Sequence, residues 1–167
     1  VQRETLAFIQ GRLKGVLQER ELRYDVVDAA LAARGHDPVA ALESATQLMA
    51  WVQRDDWLTL LAAYARCVRI TRKETTRYAV SPDHFEDDVE HQLWQAYQVA
   101  AGLVKSTSSV DDFFAAFQPM LPAINAYFEA VLVMADDPNV RSTRLGLLQA
   151  IASLPDGIVD LSPLEGF

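Results

Sequence analysis

The sequence contains one cysteine, no long hydrophobic run and few positive charges in its second half. A single cysteine forms no internal disulfide and no cysteine-rich metal site, which suits the reducing cytoplasm. The longest apolar runs, such as residues 130–135, are far shorter than the roughly 20 residues that span a bilayer. The opening VQRETLAF lacks the apolar core of a signal peptide. These absences exclude membrane proteins and disulfide scaffolds, and we expect a cytoplasmic protein.

Positive charge is concentrated in the first half of the chain. Residues 1–78 hold 12 Lys and Arg against 10 Asp and Glu, residues 79–167 hold 3 against 13, and the formal net charge is −8. Because nucleic-acid binding depends mainly on phosphate neutralisation, the acidic total argues against a general nucleic-acid coat. If the chain binds an anion, we expect the first half to do so.

Apolar residues recur at intervals of three and four along almost the whole chain, which is typical of amphipathic helices. No segment alternates apolar and polar residues for long enough to predict a strand. The pattern predicts helices over approximately residues 6–17, 26–34, 39–53, 57–73, 86–104, 109–134 and 139–154. We therefore expect an all-α helical bundle of about six or seven helices. A single domain should cover residues 1–167, and because the chain opens at Val1 instead of Met, we expect a fragment of a longer protein.

Helix caps and a long apolar seam give further detail. The predicted caps are Asp25, Asp55 or Asp56, Ser109 and the turn at residues 136–138. The seam has spacings of four and three, typical of a helix packed lengthwise against others, and consists of Phe113, Phe117, Met120, Ile124, Tyr127, Val131 and Met134. Pro119 and Pro122 interrupt it, which predicts a kink or break near Gln118.

No catalytic motif is present in the sequence. His91 could share a helix face with Asp87 and Asp88, but no second cluster of ligands completes a metal site, and a solvated acidic first turn explains these residues. Cys67 has arginines on both sides, which could lower the pKa of its thiol, but it lacks a histidine partner and suits helix packing. We expect a non-catalytic domain without cofactor or metal.

One helix carries an unusual density of cations. Between residues 64 and 78 only Glu74 opposes them, and the candidates for binding are Arg66, Arg69, Arg72, Lys73, Arg77 and the neighbouring Tyr78. Helical spacing places Trp57, Leu61, Tyr64 and Val68 on the inner side, with Arg66, Arg69 and Lys73 opposite. Two interpretations remain open: a surface for phosphates and unpaired bases, or an ordinary charged helix face.

The segment AINAYFEAVLVMADDPNVRSTRLGLLQAIASL at residues 123–154 resembles the C-terminal region of the bacterial glycyl-tRNA synthetase beta subunit. The similarity lies in an aromatic pair, a Val-Met-rich run, an acidic turn and an Arg-x-x-Arg-Leu helix. Weaker similarities, in the same order as in the family, are FIQGRL at 8–13, YDVVDAALA at 24–32 and ARCVRI at 65–70. Together they extend over nearly the whole chain.

The resemblance implies a DALR-like helical anticodon-binding domain that binds tRNA-Gly. It also implies an alpha subunit, which uses ATP and Mg for glycine activation, and further beta-subunit domains as partners. The parent protein would then be a glycine–tRNA ligase, although this domain has no catalytic residues. The family motif includes Arg141 and Arg144, which we interpret first as structural, pairing with Asp136 or Asp137, with RNA contact as the alternative. The alternative function is a helical module for subunit or domain interaction without direct RNA readout.

Overall fold

A computed structural model describes residues 2–167, with the side chains of residues 2, 3 and 6 outside the description. Those described residues form eight α-helices, or seven if α6 and α7 count as one interrupted helix. They are α1 (Gln2–Gln18), α2 (Tyr24–Arg34), α3 (Pro38–Val52), α4 (Trp57–Thr71), α5 (Asp88–Leu103), α6 (Val110–Phe117), α7 (Leu121–Ala130) and α8 (Pro138–Ala152). The described residues contain no strand, which confirms the all-α prediction. None of their helices is both long enough and apolar enough to cross a bilayer. The expected inward position of Leu6 lies outside the described side chains.

Two breaks in the helical pattern have clear local causes. A 3₁₀ turn at Gln118–Met120 separates α6 from α7, as Pro119 and Pro122 predict, because proline cannot donate a helical hydrogen bond. The predicted loop at residues 74–85 includes a second 3₁₀ turn, Pro82–His84. Since α7 ends at Ala130, the predicted seam is wrong at its last two positions: Val131 is only half-buried, and Met134 is 51% exposed.

The described residues fall into two compact units, and the single domain over residues 1–167 stays a prediction. The first unit contains the chain up to Leu58 together with Ser106–Phe113 and Pro155–Phe167. In it, α2 packs against α1 and α3, and the C-terminal tail is fastened by a hydrogen bond from the Asp160 N–H to the Ala29 carbonyl oxygen, 3.1 Å.

Asp25 has a different role from the predicted cap. Helix α2 begins two residues earlier than predicted, at Tyr24, and its N-cap residue is Arg23. The Asp25 side chain is 1% exposed and accepts hydrogen bonds from the Arg23 Nε at 3.0 Å and the Glu165 N–H at 3.0 Å. Asp25 therefore fastens the C-terminal tail to α2. The helix pattern alone did not show this, because the partner at residue 165 is remote in sequence.

The second unit contains Thr59–Lys105 and Phe114–Leu154. Here α5 packs against α7, α8 and the 3₁₀ turn at Gln118–Met120. Its wholly or almost wholly buried side chains include Leu60, Leu61, Leu93, Phe117, Met120, Ile124, Tyr127 and Leu145. Asp137 caps α8 by accepting hydrogen bonds from the N–H groups of Asn139 and Val140. This unit holds every candidate site residue.

Candidate nucleic-acid interface

Helix α4 carries cations along its exposed side. Trp57, Leu61 and Tyr64 are buried, Val68 is half-buried, and Arg66 and Arg69 are exposed. The helix ends at Thr71, two residues earlier than predicted, and the Thr71 hydroxyl donates to the Cys67 carbonyl oxygen at 2.9 Å. The turn that follows holds Arg72 and Lys73, both exposed.

We call the exposed cations of this region the basic face: Arg66, Arg69, Arg72, Lys73 and Arg77. Among the described residues, no carboxylate lies within ion-pair distance of Arg66, Arg72, Lys73 or Arg77. The Arg77 Nη1 donates to the Ser153 Oγ at 2.9 Å. Glu74, the one acidic residue in this stretch, accepts a hydrogen bond from the Tyr78 hydroxyl at 3.1 Å. These four cations of the basic face therefore keep positive charge that no described carboxylate neutralises.

Tyr78 is held in place by hydrogen bonds from both its side-chain hydroxyl and its backbone N–H. Its side chain is half-buried, its hydroxyl donates to Glu74, and its backbone N–H donates to the Gln149 Oε1 at 3.0 Å. The Gln149 Nε2 in turn donates to the Thr76 carbonyl oxygen at 2.8 Å. These bonds fix the segment that follows the basic face.

The aromatic ring that contacts the basic face is Phe128, which the sequence analysis did not single out as a site residue. The Arg66 guanidinium carbon lies 4.3 Å from the centre of the Phe128 ring, and Phe128 is half-buried on α7. The signal that could have found it is its position: it directly follows the seam residue Tyr127, so its ring leaves the buried side of α7.

The backbone of Tyr78 and Ala79 runs close against α8 at Gly146. A Cβ atom at position 146 would lie 2.8 Å from the Tyr78 carbonyl oxygen and 3.1 Å from that of Ala79. Both neighbours are backbone atoms, so a side chain can fit only if the segment moves.

We expect Gly146→Ala to lower the free energy of unfolding by about 1–3 kcal/mol, the usual cost of overpacking. Gly102→Ala is the matched control, because a Cβ at that helical position meets nothing within 4 Å and alanine is the better helix former by up to about 1 kcal/mol. Urea denaturation should show opposite shifts for the two variants; a stable Gly146→Ala protein would contradict the close approach.

Arg144 makes a buried ion pair that differs from the predicted one with Asp136 or Asp137. It is 6% exposed, and its Nε donates to the Glu90 Oε1 at 2.7 Å. Its Nη2 donates to the Oε2 atoms of Glu90 at 3.0 Å and of Glu86 at 3.1 Å, and its Nη1 donates to the Leu132 carbonyl oxygen at 3.1 Å. Arg141 donates to the Ala135 carbonyl oxygen at 3.1 Å. Arg144 thus joins α8 to the start of α5, a pairing across 54 residues that local sequence spacing does not indicate.

Glu90 combines this ion pair with a helix cap. Its Oε2 accepts hydrogen bonds from the backbone N–H groups of Glu86 at 2.9 Å and Asp87 at 3.0 Å, and the Asp87 side chain completes the capping box. Burial raises the pKa of Glu90, but the hydrogen bonds from Arg144 and the backbone outweigh it, so the pKa lies below its ordinary value of 4.5.

The remaining chemical candidates occupy structural positions. Cys67 is buried, in agreement with its predicted packing role, and burial raises the pKa of its thiol to about 12 although the charge of Arg66 acts in the opposite direction. His91 packs edge-on against Phe85, with the ring centres 5.1 Å apart. The described part of the chain contains no group of three or more His, Cys, Asp or Glu side chains placed to hold a metal ion.

The sequence of this chain is similar to segments of glycine–tRNA ligases. The chain is 34% identical, over 98% of its length, to the glycine–tRNA ligase beta subunit of Moorella thermoacetica. It is 33% identical over 99% of its length to that of Cereibacter sphaeroides, and 31% identical over 96% to the chloroplastic/mitochondrial glycine–tRNA ligase 2 of Arabidopsis thaliana. It covers 24%, 25% and 15% of these relatives, respectively. No protein-family model matches the chain. The chain is thus homologous to a segment of glycine–tRNA ligase beta subunits, about a quarter of the bacterial protein.

Proposed function

We propose that this chain is the C-terminal, DALR-like anticodon-binding domain of a glycine–tRNA ligase beta subunit and that it binds the anticodon region of tRNA-Gly in the cytoplasm. The observation that carries the proposal is the basic face. Five exposed cations lie within residues 66–77, although the whole chain has a net charge of −8. Its position in a segment homologous to glycine–tRNA ligase beta subunits favours tRNA as the polyanion.

The basic face suits a single-stranded loop of RNA. Arg66 and Arg69 are three residues apart on α4, so they lie about 4.5 Å apart along the helix axis on its exposed side, and Lys73 follows in the turn after the helix. Guanidinium groups hold phosphates through paired hydrogen bonds, and sequence-specific RNA recognition targets unpaired bases in loops. Phosphate contacts would position the anticodon loop, and base contacts would supply the specificity.

The domain contributes binding and leaves the chemistry to the rest of the enzyme. Glycine activation, with ATP and Mg, takes place on the alpha subunit in this proposal. The alpha subunit and the other beta-subunit domains are accordingly its protein partners. In this arrangement the domain raises the local concentration and fixes the orientation of tRNA-Gly.

A titration with two RNAs tests this function. The chain should bind a tRNA-Gly transcript with an affinity that falls linearly as the logarithm of the salt concentration rises. It should bind the same transcript with a substituted anticodon about 5- to 100-fold more weakly, because the polar groups of the protein that contact the anticodon bases would lose their partners. Equal affinity for both transcripts would rule out anticodon recognition, and no binding at low salt would rule out the RNA function altogether.

The second candidate is a module that braces the enzyme without contacting RNA. Large apolar side chains on α1 favour it: Phe8 is 65% exposed, Ile9 45% and Val16 50%. Since the bacterial relatives are about four times longer than this chain, the remaining beta-subunit domains are the partner for this surface. Failure to bind tRNA, together with binding to those domains, would support this candidate instead.

A further inference from the structure

We infer that Arg66 and Phe128 form a stacking platform for one unpaired nucleobase, with the base lying on the solvent side of the Arg66 guanidinium. The inference rests on the proposed RNA-binding function and adds a specific site to it. The chemical class of the ligand is a splayed purine or pyrimidine of a single-stranded loop.

The Phe128 ring provides a fixed support for the arginine. It packs edge-on against Tyr127, with the ring centres 5.4 Å apart and the planes at 88°, and Tyr127 itself is fully buried. The Arg66 guanidinium carbon lies over the Phe128 ring, 4.3 Å from its centre. A planar, weakly hydrated guanidinium stacks well on an aromatic face, so Phe128 reduces the conformational freedom that Arg66 would otherwise lose on binding a base.

The face of the Arg66 guanidinium that points away from Phe128 is open to solvent. Arg66 is exposed, and among the described residues it has no ion pair. Arg54 and Trp51 form a similar pair, with the Arg54 guanidinium carbon 4.4 Å from the centre of the Trp51 ring, but this arginine has an acidic partner. There the guanidinium donates two hydrogen bonds, each 2.8 Å, to the carboxylate of Asp56, and the Trp51 ring N–H donates to Asp111. That arginine is already neutralised, whereas Arg66 remains available for a ligand.

The chemistry of the pair favours a base over a phosphate as the ligand of Arg66. A phosphate needs in-plane hydrogen bonds from the guanidinium edge, which any of the other arginines of the basic face can supply. The guanidinium of Arg66 already lies over an aromatic ring, that of Phe128, at 4.3 Å from the ring centre. Stacking on aromatic and guanidinium planes is the usual means by which proteins hold unpaired RNA bases. We therefore assign stacking to Arg66 and phosphate binding to Arg69, Arg72 and Lys73.

Two variants separate stacking from charge. Arg66→Lys keeps the charge but removes the planar group, and Phe128→Leu removes the ring without changing any charge. The control for the second is Phe85→Leu, since Phe85 is another half-buried ring of the same unit that packs against His91. The probes are a tRNA-Gly transcript and a tRNA-Gly anticodon stem–loop that carries 2-aminopurine in the loop, whose fluorescence falls when the base stacks.

Both variants should weaken binding by roughly 5- to 150-fold, the range for loss of one base stack, and should abolish the fluorescence change. The dependence of log K on log salt should keep the parent slope, because no phosphate contact is lost. Phe85→Leu should bind like the parent. If Arg66→Lys retains the parent affinity and fluorescence change, the platform is wrong while the RNA function stands. If the parent itself binds neither RNA, both the platform and the RNA function are wrong. Should Phe128→Leu fail to fold, Arg66→Lys decides alone.

Discussion

Replacing Arg144 with alanine is expected to lower the free energy of unfolding by about 3–5 kcal/mol, the cost of leaving a buried charge without its partner. The Glu90 side chain is fully buried. Arg144 donates hydrogen bonds to both of its oxygens, at 2.7 and 3.0 Å. In the variant the carboxylate keeps only the two backbone N–H donors near the start of α5. Urea unfolding at pH 7, followed by circular dichroism, measures the loss.

Two further variants show whether the ion pair itself is responsible. Arg141→Ala removes an arginine one turn earlier on α8 that donates only to a backbone carbonyl, and its cost should stay near 0.5–1.5 kcal/mol. Combining Arg144→Met with Glu90→Gln should recover stability relative to Arg144→Met alone, because the neutral amide still accepts the backbone hydrogen bonds. Equal losses for Arg144→Ala and Arg141→Ala would contradict the assigned role of the pair.

The ion pair also determines how the stability lost in Arg144→Ala changes with pH. The pKa of Glu90 in the folded protein lies below its ordinary value of 4.5. The ionised Glu90 therefore contributes to the free energy of unfolding at pH values above 4.5. This contribution is lost as the pH falls through the folded pKa. In Arg144→Ala burial dominates and raises the pKa of Glu90, so protonation there favours the folded state. The difference in the free energy of unfolding between the parent and Arg144→Ala should therefore shrink from pH 7 to pH 4. A difference that stays constant over this range would contradict the assigned ion pair.

Local sequence signals predicted most of the helices and several of their ends. Pro119 and Pro122 indicated the break before α7, and Asp137 with Pro138 indicated the start of α8, because these effects depend on neighbouring backbone groups. The seam prediction failed after Tyr127, since side-chain periodicity continues through residues 131–134 although the backbone leaves the helix at Ala130. Periodicity reports which residues are apolar and does not report where a helix stops.

The cations of the site could be read from the sequence, but their partners could not. Helical spacing placed Arg66 and Arg69 on the exposed side of α4, and both are exposed. The contact of Arg66 with Phe128 joins residues 62 positions apart, and the pairing of Arg144 with Glu90 joins residues 54 positions apart. Contacts at such separations depend on how helices pack, which no local pattern encodes.

Removing three cations of the basic face is expected to abolish most of the binding to tRNA-Gly while leaving the fold intact. Arg66, Arg69 and Lys73 are exposed, and exposed substitutions usually change stability by less than about 0.5 kcal/mol each. A hydrogen bond to a charged group contributes about 1.5–3 kcal/mol, so the triple alanine variant should lose at least about 100-fold in affinity. Filter binding or fluorescence anisotropy measures this loss, and thermal unfolding verifies the fold.

The matched control removes the same charge elsewhere. Arg12, Lys14 and Arg20 lie on or just after α1, and within the described part of the chain Lys14 is the one of the three that pairs with a carboxylate, that of Asp28 at 2.6 Å. Substituting these three with alanine changes the net charge by the same amount as the variant in the basic face. The control therefore separates a general effect of net charge from the loss of specific phosphate contacts.

The salt dependence of tRNA-Gly binding by these three proteins tests the central claim most directly. Each phosphate contact contributes about 0.7–0.9 to the slope of log K against log salt. The slope should be about 1.4 to 1.8 smaller for the variant of the basic face than for the parent, because Arg69 and Lys73 each lose a phosphate contact, and it should be nearly unchanged for the control. Equal slopes and affinities for the parent and the variant of the basic face, both fully folded, would contradict the assignment of Arg66, Arg69 and Lys73 to RNA binding.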